Sequence, residues 1–305
     1  MKRALIVFQL LVSCLILGQN PANATEGASS YYFPGASSTF TVAVAPEPGF
    51  MFVNQMLFYS GKVDRAVLHG DIHLSLRADA FYNYIGGFYT FEKPVLNGRL
   101  QVGAVVPVGY TDIKAAIGPL GTSGTKTSIG DTMISAALYW QKGNLHYKLV
   151  ESVFAPTGDY SFGDLANVGR NYWGFDTALA MTWMNMKTGT EISVTPGIMF
   201  NTKNTATDYK SGNEFHVDFV VNQFLKENLA VGLHGYYYRQ ITGDSGSGAK
   251  LGDFEGESYG FGPALLWIPE VGKGNLSVVA KWLHDVGKTH RLHGYYGQLA
   301  LVYKF

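Results

Sequence analysis

The side chains of this chain that could do chemistry are eight histidines, 23 acidic residues and 23 basic residues, and few of them are grouped. His216 and Asp218 lie two residues apart and would share one face of a strand, where such a pair more often forms a hydrogen bond than a metal site. The histidines show no spacing typical of metal ligands on one element. The glycine-rich run 243–248 lacks the flanking strand and helix of a phosphate-binding loop. The sequence therefore predicts neither a metal nor a cofactor.

The composition favours a sheet protein whose surface meets something other than water. Of 305 residues, 47% are hydrophobic, 14% aromatic and only 15% charged, with 37 glycines, 19 tyrosines and 19 phenylalanines. Such a composition argues against disorder. The zero formal net charge gives no electrostatic footprint for nucleic acid. The single cysteine excludes an internal disulfide framework.

The segment 1–24 has the features of a secretory signal peptide. Two basic residues follow the initial methionine, and residues 4–17 are apolar. Ala22 and Ala24 supply the small side chains needed for cleavage after Ala24. The apolar run is shorter than the roughly 20 residues that span a bilayer. A competing interpretation is that the run ending at Cys14 resembles a lipoprotein cleavage box, which would make Cys14 a lipidated N-terminus.

Alternation of apolar and polar side chains is the main structural signal after residue 48. In 171–185, Trp173 and Trp183 share an apolar face, and Asp176 lies on the opposite face. At about 3.3 Å per residue and a tilt near 40°, the stretch between the tryptophans rises roughly 25 Å, the height of the apolar band of an outer-membrane barrel. Amphipathic rings are best solvated at the two interfaces of that band.

The alternation recurs in about a dozen segments separated by turn-like linkers. Linkers after even-numbered segments are short, and most of those after odd-numbered segments are longer and rich in Gly, Ser, Thr and Asp, which is the loop asymmetry of an outer-membrane barrel. We therefore predict an all-β fold in which residues 49–305 form a single-chain, 12-stranded, antiparallel transmembrane β-barrel. The predicted strands are 49–61, 71–91, 97–112, 130–141, 145–156, 170–185, 190–202, 211–225, 229–242, 256–268, 275–285 and 294–305.

Three residues disturb this pattern. Pro196 and Pro263 lack the N–H that a strand donates to its neighbour, so we expect a local bulge at each. Glu151 falls on the apolar face of its strand, which requires a bulge or a position above the lipid.

The predicted inward face carries charges of both signs together with tyrosine and glutamine. These groups could line a water-filled path or bind an aromatic compound. Alternatively, the acids and bases pair between strands and fill the lumen as a polar core. In 71–85 the same reasoning places Leu76, Ala78, Tyr82 and Tyr84 on the lipid face. The lumen-facing candidates are Arg77, Asp79, Arg99, Gln101, Asp176, Glu191, Glu214, His216, Asp218, His234, Tyr236 and Lys281.

Outward aromatic residues are predicted to form girdles at the two membrane interfaces. The final strand ends on Phe305, with Leu301 and Tyr303 on the same face. A strand of this kind resembles the signal read by the outer-membrane barrel assembly machinery, so the predicted partners are that machinery and outer-membrane lipid. The predicted girdle residues are Trp173, Trp183, Tyr237, Tyr259, Trp267 and Tyr303.

The segment 25–48 is polar, rich in serine and lies before the first strand. We predict that it is periplasmic or inserted into the lumen as a partial plug.

Several stretches, most of them at predicted junctions between strands and loops, resemble the family of meta-pathway phenol degradation proteins. The resemblance covers essentially the whole chain after the signal peptide. It implies an outer-membrane barrel found in settings of aromatic catabolism, with a transport-like role for small, often hydrophobic compounds. The stretches are 26–27, 32–35, 156–160, 167–173, 207–216, 235–246 and 262–263.

The leading hypothesis is a channel or facilitator in the outer membrane of a Gram-negative bacterium, passing small compounds that include hydrophobic or aromatic ones, and not an enzyme. One alternative is a plugged structural barrel or a surface-interaction protein using the loops 113–129 and 243–255. Another is a membrane-embedded lipid hydrolase, which needs a serine and a histidine in hydrogen-bond reach at the lipid boundary. No serine and histidine share a clear lipid-facing register in the sequence.

Overall fold

The computed structural model describes residues 26–68, 71–73, 75–117, 120–252, 255–271 and 275–305. The predicted signal peptide and Cys14 lie outside the described residues. Within the described ranges, no helix has the length and apolar character needed to cross a membrane.

The described residues form fifteen strands and one short 3₁₀-helix, Glu26–Ala28. The strands are β1 (Gly49–Val63), β2 (Ala66–Leu68), β3 (Asp71–His73), β4 (Ser75–Thr90), β5 (Arg99–Ile117), β6 (Leu120–Ile129), β7 (Thr132–Lys142), β8 (Leu145–Ala155), β9 (Gly174–Asn185), β10 (Thr190–Asn201), β11 (Glu214–Lys226), β12 (Leu229–Gln240), β13 (Glu257–Trp267), β14 (Leu276–Thr289) and β15 (His293–Lys304).

The strands close into an antiparallel barrel. β1 pairs with β15 on one side and with β4 on the other, so the sheet returns to its own first strand. β6 and β7 both pair with β5 and together make one barrel strand, while β2 and β3 form a separate hairpin. The predicted 12-stranded barrel is confirmed. Closure gives the backbone N–H and C=O groups partners within the sheet, as a membrane-spanning chain requires.

Some strands are longer than a membrane requires. β5 has 19 residues and β4 has 16. At about 3.3 Å per residue and a tilt near 40°, 19 residues rise roughly 48 Å, nearly twice the apolar band of about 25 Å. Since the longer connections of such barrels are extracellular, we assign the ends of β1, β4, β5 and β6 near those connections to a rim that stands above the lipid.

On the rim the outer face is polar and the inner face apolar, so within the predicted stretch 71–85 the faces of residues 75–85 are wrong. Arg77 and Asp79 face away from the lumen, with Arg77 Nε 2.8 Å from Asp79 Oδ2 and the Arg77 side chain 56% exposed. Leu76 and Ala78 instead lie inside, in an apolar cluster with Ala28. Above the lipid the outer face meets water, so the polar members of the alternating pattern point outward there.

Neither proline produces a bulge, contrary to expectation. The register of β10 with β11 runs unbroken through the pair Pro196 and Val217, and that of β12 with β13 runs through Leu233 and Pro263. On its other side each proline interrupts the pairing without shifting the register. A missing N–H removes a bond to one neighbour only, so the other neighbour holds the strand in place. The register shift between β13 and β14 lies at Tyr259 instead.

Glu151 faces outward without a bulge. The registers of β8 with β7 and with β9 are continuous through Glu151. Its carboxylate accepts a hydrogen bond from the hydroxyl of Thr177 on the neighbouring strand. This bond partly satisfies an acid that the strand phase places on the outer surface.

The division between lipid-facing wall and rim can be tested with two matched substitutions. Leu179 lies in the middle of β9 and faces outward, 41% exposed, whereas Thr125 lies on the outer face of the rim strand β6, opposite Asp112, and is exposed. We expect Leu179→Arg to lower the free energy of unfolding by about 2–4 kcal/mol and Thr125→Arg by about 0–1 kcal/mol. Denaturant titration in lipid vesicles measures both. Equal losses would contradict the assignment of β6 to the rim.

Candidate functional site

Residues 26–48, called the plug below, lie inside the barrel. Tyr32, Phe40 and Ala43 of this segment are buried. The Thr41 N–H donates to Glu191 Oε1 at 2.9 Å, and the Ala43 N–H donates to Thr182 Oγ1 at 3.3 Å. The plug thus uses inward-facing side chains of the barrel to satisfy its own backbone.

The strands β9–β14, called the anchoring wall, hold the plug through buried charged and polar groups. Lys281 Nζ donates to the carbonyl oxygens of Gly35 and Ser38, each at 2.7 Å. His234 Nδ1 lies 3.0 Å from the same Ser38 oxygen. Beside this wall, Arg291 donates from Nη2 to the Tyr32 carbonyl oxygen at 3.0 Å. Bonds to charged donors are stronger than neutral ones, so these contacts fix the plug firmly.

Asp218 is the centre of the anchoring contacts. Its carboxylate accepts hydrogen bonds from the Tyr32 hydroxyl at 2.9 Å and from the Ser37 N–H at 3.3 Å. His216 stacks on the Tyr32 ring with centroids 4.1 Å apart, and its Nε2 lies 2.8 Å from Asp176 Oδ1. Burial raises the pKa of the Tyr32 phenol well above its ordinary value, so Tyr32 remains a neutral donor to Asp218.

A cavity separates the plug from much of the opposite side of the barrel. This side, called the open wall, consists of β1, β4, β5, β7 and β8. The cavity has a volume of about 550 Å³, within the range of small-molecule sites. Its lining is rich in aromatic and aliphatic side chains, and Tyr31 of the plug stacks on Phe154 of β8 with centroids 4.7 Å apart. Prominent lining residues are Tyr31, Leu57, Tyr82, Tyr84, Val150 and Phe154.

A polar cluster marks the end of the cavity where β6 gives way to β7. Asp131 accepts hydrogen bonds from the Tyr31 hydroxyl at 2.7 Å, the Arg170 N–H at 2.6 Å and the Gly158 N–H at 2.9 Å. Arg170 Nη1 donates in turn to Ser29 Oγ at 3.1 Å. The connection between β8 and β9 is therefore fastened to the plug at the extracellular end of the cavity.

Comparison with known families identifies the chain. Residues 64–301 match the family described as "Putative MetA-pathway of phenol degradation". The chain belongs to this family. The resemblance seen in the sequence is thus confirmed, although the family description names a pathway and not a transported compound.

Solved structures share the fold of this family member. The COG4313 outer membrane channel from Pseudomonas putida F1 superposes with a TM-score of 0.70 at 13% identity, covering 90% of this chain and 100% of that chain. The beta domain of the Bordetella autotransporter BrkA superposes with a TM-score of 0.53 at 12% identity, covering 85% and 100%. At such identities the likeness concerns the barrel fold alone. The sequence matches none of the curated proteins with which it was compared.

Ten of the twelve lumen candidates lie on the inner face of the barrel of this family member, and Arg77 and Asp79 do not. Arg99, at the periplasmic end of β5, donates to the Pro46 carbonyl oxygen of the plug at 3.0 Å, and Gln101 accepts from the Tyr139 hydroxyl at 3.0 Å. The other eight lie on the anchoring wall, where they contact the plug or other buried polar residues of that wall: Asp176, Glu191, Glu214, His216, Asp218, His234, Tyr236 and Lys281.

Several residues of the site were not among the sequence candidates. Tyr31, Tyr32, Asp131 and Arg170 lie outside the strands or at a strand break, where alternation gives no orientation. Tyr82 and Tyr84 are predicted on the lipid face with the other apolar residues of 71–85, yet both line the cavity. The signal that could have found part of this set is the family resemblance, because the stretches 32–35 and 167–173 include Tyr32 and Arg170.

The predicted girdle residues lie on the outer side of the barrel. Trp173 and Tyr259 are exposed near the extracellular end, and Trp183 and Trp267 are exposed near the periplasmic end. Tyr237 pairs in register with Tyr259 at the extracellular end. At the periplasmic end, the rings of Tyr303 and Phe305 lie side by side, with centroids 4.9 Å apart. Leu301 precedes Tyr303 by two residues on the same strand. Recognition of this end by the assembly machinery stays a prediction.

The anchoring role of Lys281 predicts that its loss loosens the plug. Lys281→Met removes the charged donor from two buried carbonyl oxygens, which keep weaker contacts with Ser38 and His234. We expect a total cost of about 1–3 kcal/mol, the range for a hydrogen bond to a charged group. We expect proteolytic cleavage within residues 26–48 of the purified protein to accelerate about 5- to 100-fold. Lys187→Met, at an exposed turn between β9 and β10, is the matched control. Unchanged protection in Lys281→Met would contradict the anchoring role.

Proposed function

We propose that this protein is an outer-membrane channel or facilitator for small hydrophobic compounds, including aromatic ones. The single observation that carries the proposal is the cavity of about 550 Å³ between the plug and the open wall, rich in aromatic and aliphatic side chains. Aromatic side chains offer ring faces and edges that suit another aromatic ring. Two further facts support the proposal: the family is described by phenol degradation, and a channel shares the fold.

The difference in polarity between the two walls favours an apolar solute over a wide water-filled pore. The polar side chains of the anchoring wall are bonded to the plug, as are Glu191, Asp218 and Lys281, or to one another. A hydrophilic solute would have to displace these contacts. An apolar solute entering the cavity displaces only water from an apolar lining, which is favourable.

The plug can remain bound while the cavity admits a solute. Apart from the bond of Arg99 to Pro46, its charged hydrogen bonds to strands are with the anchoring wall. Its ring contacts with the open wall, such as Phe33 with Tyr59 at a centroid distance of 5.7 Å, depend less on direction. Such contacts are exchanged for equivalent contacts with a bound ring at little cost. The proposed path therefore runs along the open wall, between Asp131 at the extracellular end and Arg99 at the periplasmic end.

Narrowing the cavity should reduce uptake. Ala80 of β4 lines the cavity, so Ala80→Phe adds a ring within the proposed path. The matched control is Ala104→Phe, because Ala104 on β5 is exposed on the outer face. We expect initial uptake of a radiolabelled monoaromatic hydrocarbon by Gram-negative cells to fall towards that of cells lacking the protein with Ala80→Phe, and to be unchanged with Ala104→Phe.

The amount of folded protein in the outer membrane is measured for each variant by its heat-dependent mobility, so that a folding defect is not mistaken for a blocked path. Equal uptake by cells with and without the wild-type protein would overturn the proposed function. Normal uptake through a folded Ala80→Phe variant would place the path elsewhere.

A further inference from the structure

The outer face of the rim carries basic side chains on neighbouring strands. Lys62 of β1 pairs in register with Arg77 of β4, and Arg77 pairs in register with Lys114 of β5. All three are exposed and lie on the side of the sheet away from the lumen. Directly opposed residues of an antiparallel sheet have Cβ atoms about 4.5–5.5 Å apart. These three residues, called the cation row below, therefore place three like charges side by side.

Nearby acids neutralise the cation row only in part. Asp79 accepts from Arg77, and Asp112 Oδ2 lies 3.3 Å from Lys114 Nζ. Lys62 forms no ion pair with a carboxylate in the described part of the chain. Like charges directly opposed on a sheet are destabilising. The row therefore retains excess positive charge that an external anion spanning the strands would compensate.

A shallow depression of about 450 Å³ adjoins the cation row. Arg77 and Lys114 border it, and Ser75 and Ser123 supply hydroxyl groups beside Gly121. An arginine fork and a lysine ammonium next to hydroxyl donors suit the oxygens of a phosphate ester on a sugar. Small side chains leave room for such a group against the sheet.

The cation row lies at about the height of the lipid headgroups at the membrane surface. On the same strands, Phe58, Phe81 and Tyr110 form an outward aromatic row in register. Exposed aromatic rings of this kind mark the membrane interface. Arg77 lies four residues before Phe81, which at about 3.3 Å per residue and a tilt near 40° places it roughly 10 Å above the aromatic row. The cation row is thus at the level where the phosphates of a membrane glycolipid lie.

We infer that the cation row binds the phosphate groups of lipopolysaccharide in the outer leaflet. The inference rests on the outer-membrane location proposed above, but not on the identity of the solute. Lys62, Arg77 and Lys114 bind the phosphate oxygens, and the depression holds the adjoining sugar. Bound lipid would offset the repulsion within the row and hold the rim to the surrounding leaflet.

The test uses the purified full-length protein in nanodiscs and measures its binding of lipid A carrying both phosphates, dephosphorylated lipid A, and phosphatidylglycerol. The variant is the triple substitution Lys62→Gln, Arg77→Gln, Lys114→Gln. The matched control replaces three exposed lysines at the opposite end of the barrel, Lys142→Gln, Lys187→Gln, Lys226→Gln. Both triple variants remove three positive charges, so they differ only in where the charge is lost.

We expect the rim variant to bind phosphorylated lipid A about 10-fold or more weakly than the wild type, since each basic residue near an anionic surface contributes measurably. The control variant should bind as the wild type does. Dephosphorylated lipid A and phosphatidylglycerol should both bind the wild type more weakly than phosphorylated lipid A.

Equal binding by the rim variant and the wild type would overturn the inference. Equal binding of phosphatidylglycerol and phosphorylated lipid A by the wild type would do so too, because it would show general attraction to anionic lipid. If the triple rim variant does not fold, as judged by circular dichroism, the single variant Lys62→Gln is measured instead. Lys62 has no ion pair to lose with any described residue, and its substitution should still weaken binding of phosphorylated lipid A.

Discussion

The structure depends on one constraint: backbone amides that cross hydrocarbon must find their partners within the protein. The chain meets it by pairing β1 with β15, so that the last strand completes the ladder begun by the first. The contact continues beyond the last strand, where the Phe305 N–H donates to the Phe50 carbonyl oxygen at 3.0 Å. Once the cylinder is closed, lipid dictates only the outward side chains within the membrane. The inward side chains are free to be polar on one wall and apolar on the other.

That freedom explains which parts of the barrel the sequence predicts. Strand number and the faces of β9–β13 follow from alternation, because lipid on one side and polar plug contacts on the other give each face a distinct character. On the rim part of β4 the same alternation is present, but the polar residue Arg77 faces outward and the apolar residue Leu76 faces inward. Water surrounds the rim and an apolar cluster lies within it, so the polar face points outward. Period alone cannot indicate which side of a strand meets lipid, water or an apolar cavity.

The site itself is less predictable because its parts are distant in sequence. The Tyr32 hydroxyl meets Asp218 across a separation of 186 residues, and Lys281 meets the Gly35 carbonyl group across 246. No periodic signal links a loop residue to such a partner. The candidate acids and bases on the anchoring wall were identified by their strand phase, but their shared role in holding a backbone segment was not. Their pairing with the plug favours the polar-core interpretation for this wall and leaves the opposite wall to the cavity.

The unequal walls also indicate how a plugged barrel can pass a solute. Buried charged groups need hydrogen-bond partners, so displacing Lys281 or Asp218 from the plug would leave the ammonium or the carboxylate without the partners it has there. Ring contacts such as that of Phe33 with Tyr59 leave no polar group unpartnered when they are broken. An entering aromatic ring can form equivalent van der Waals contacts with the same side chains. Under the proposed function, an apolar solute would therefore meet a smaller barrier along the open wall than an ion or a sugar would. Selectivity for apolar compounds would then follow from the position of the polar contacts on the anchoring wall.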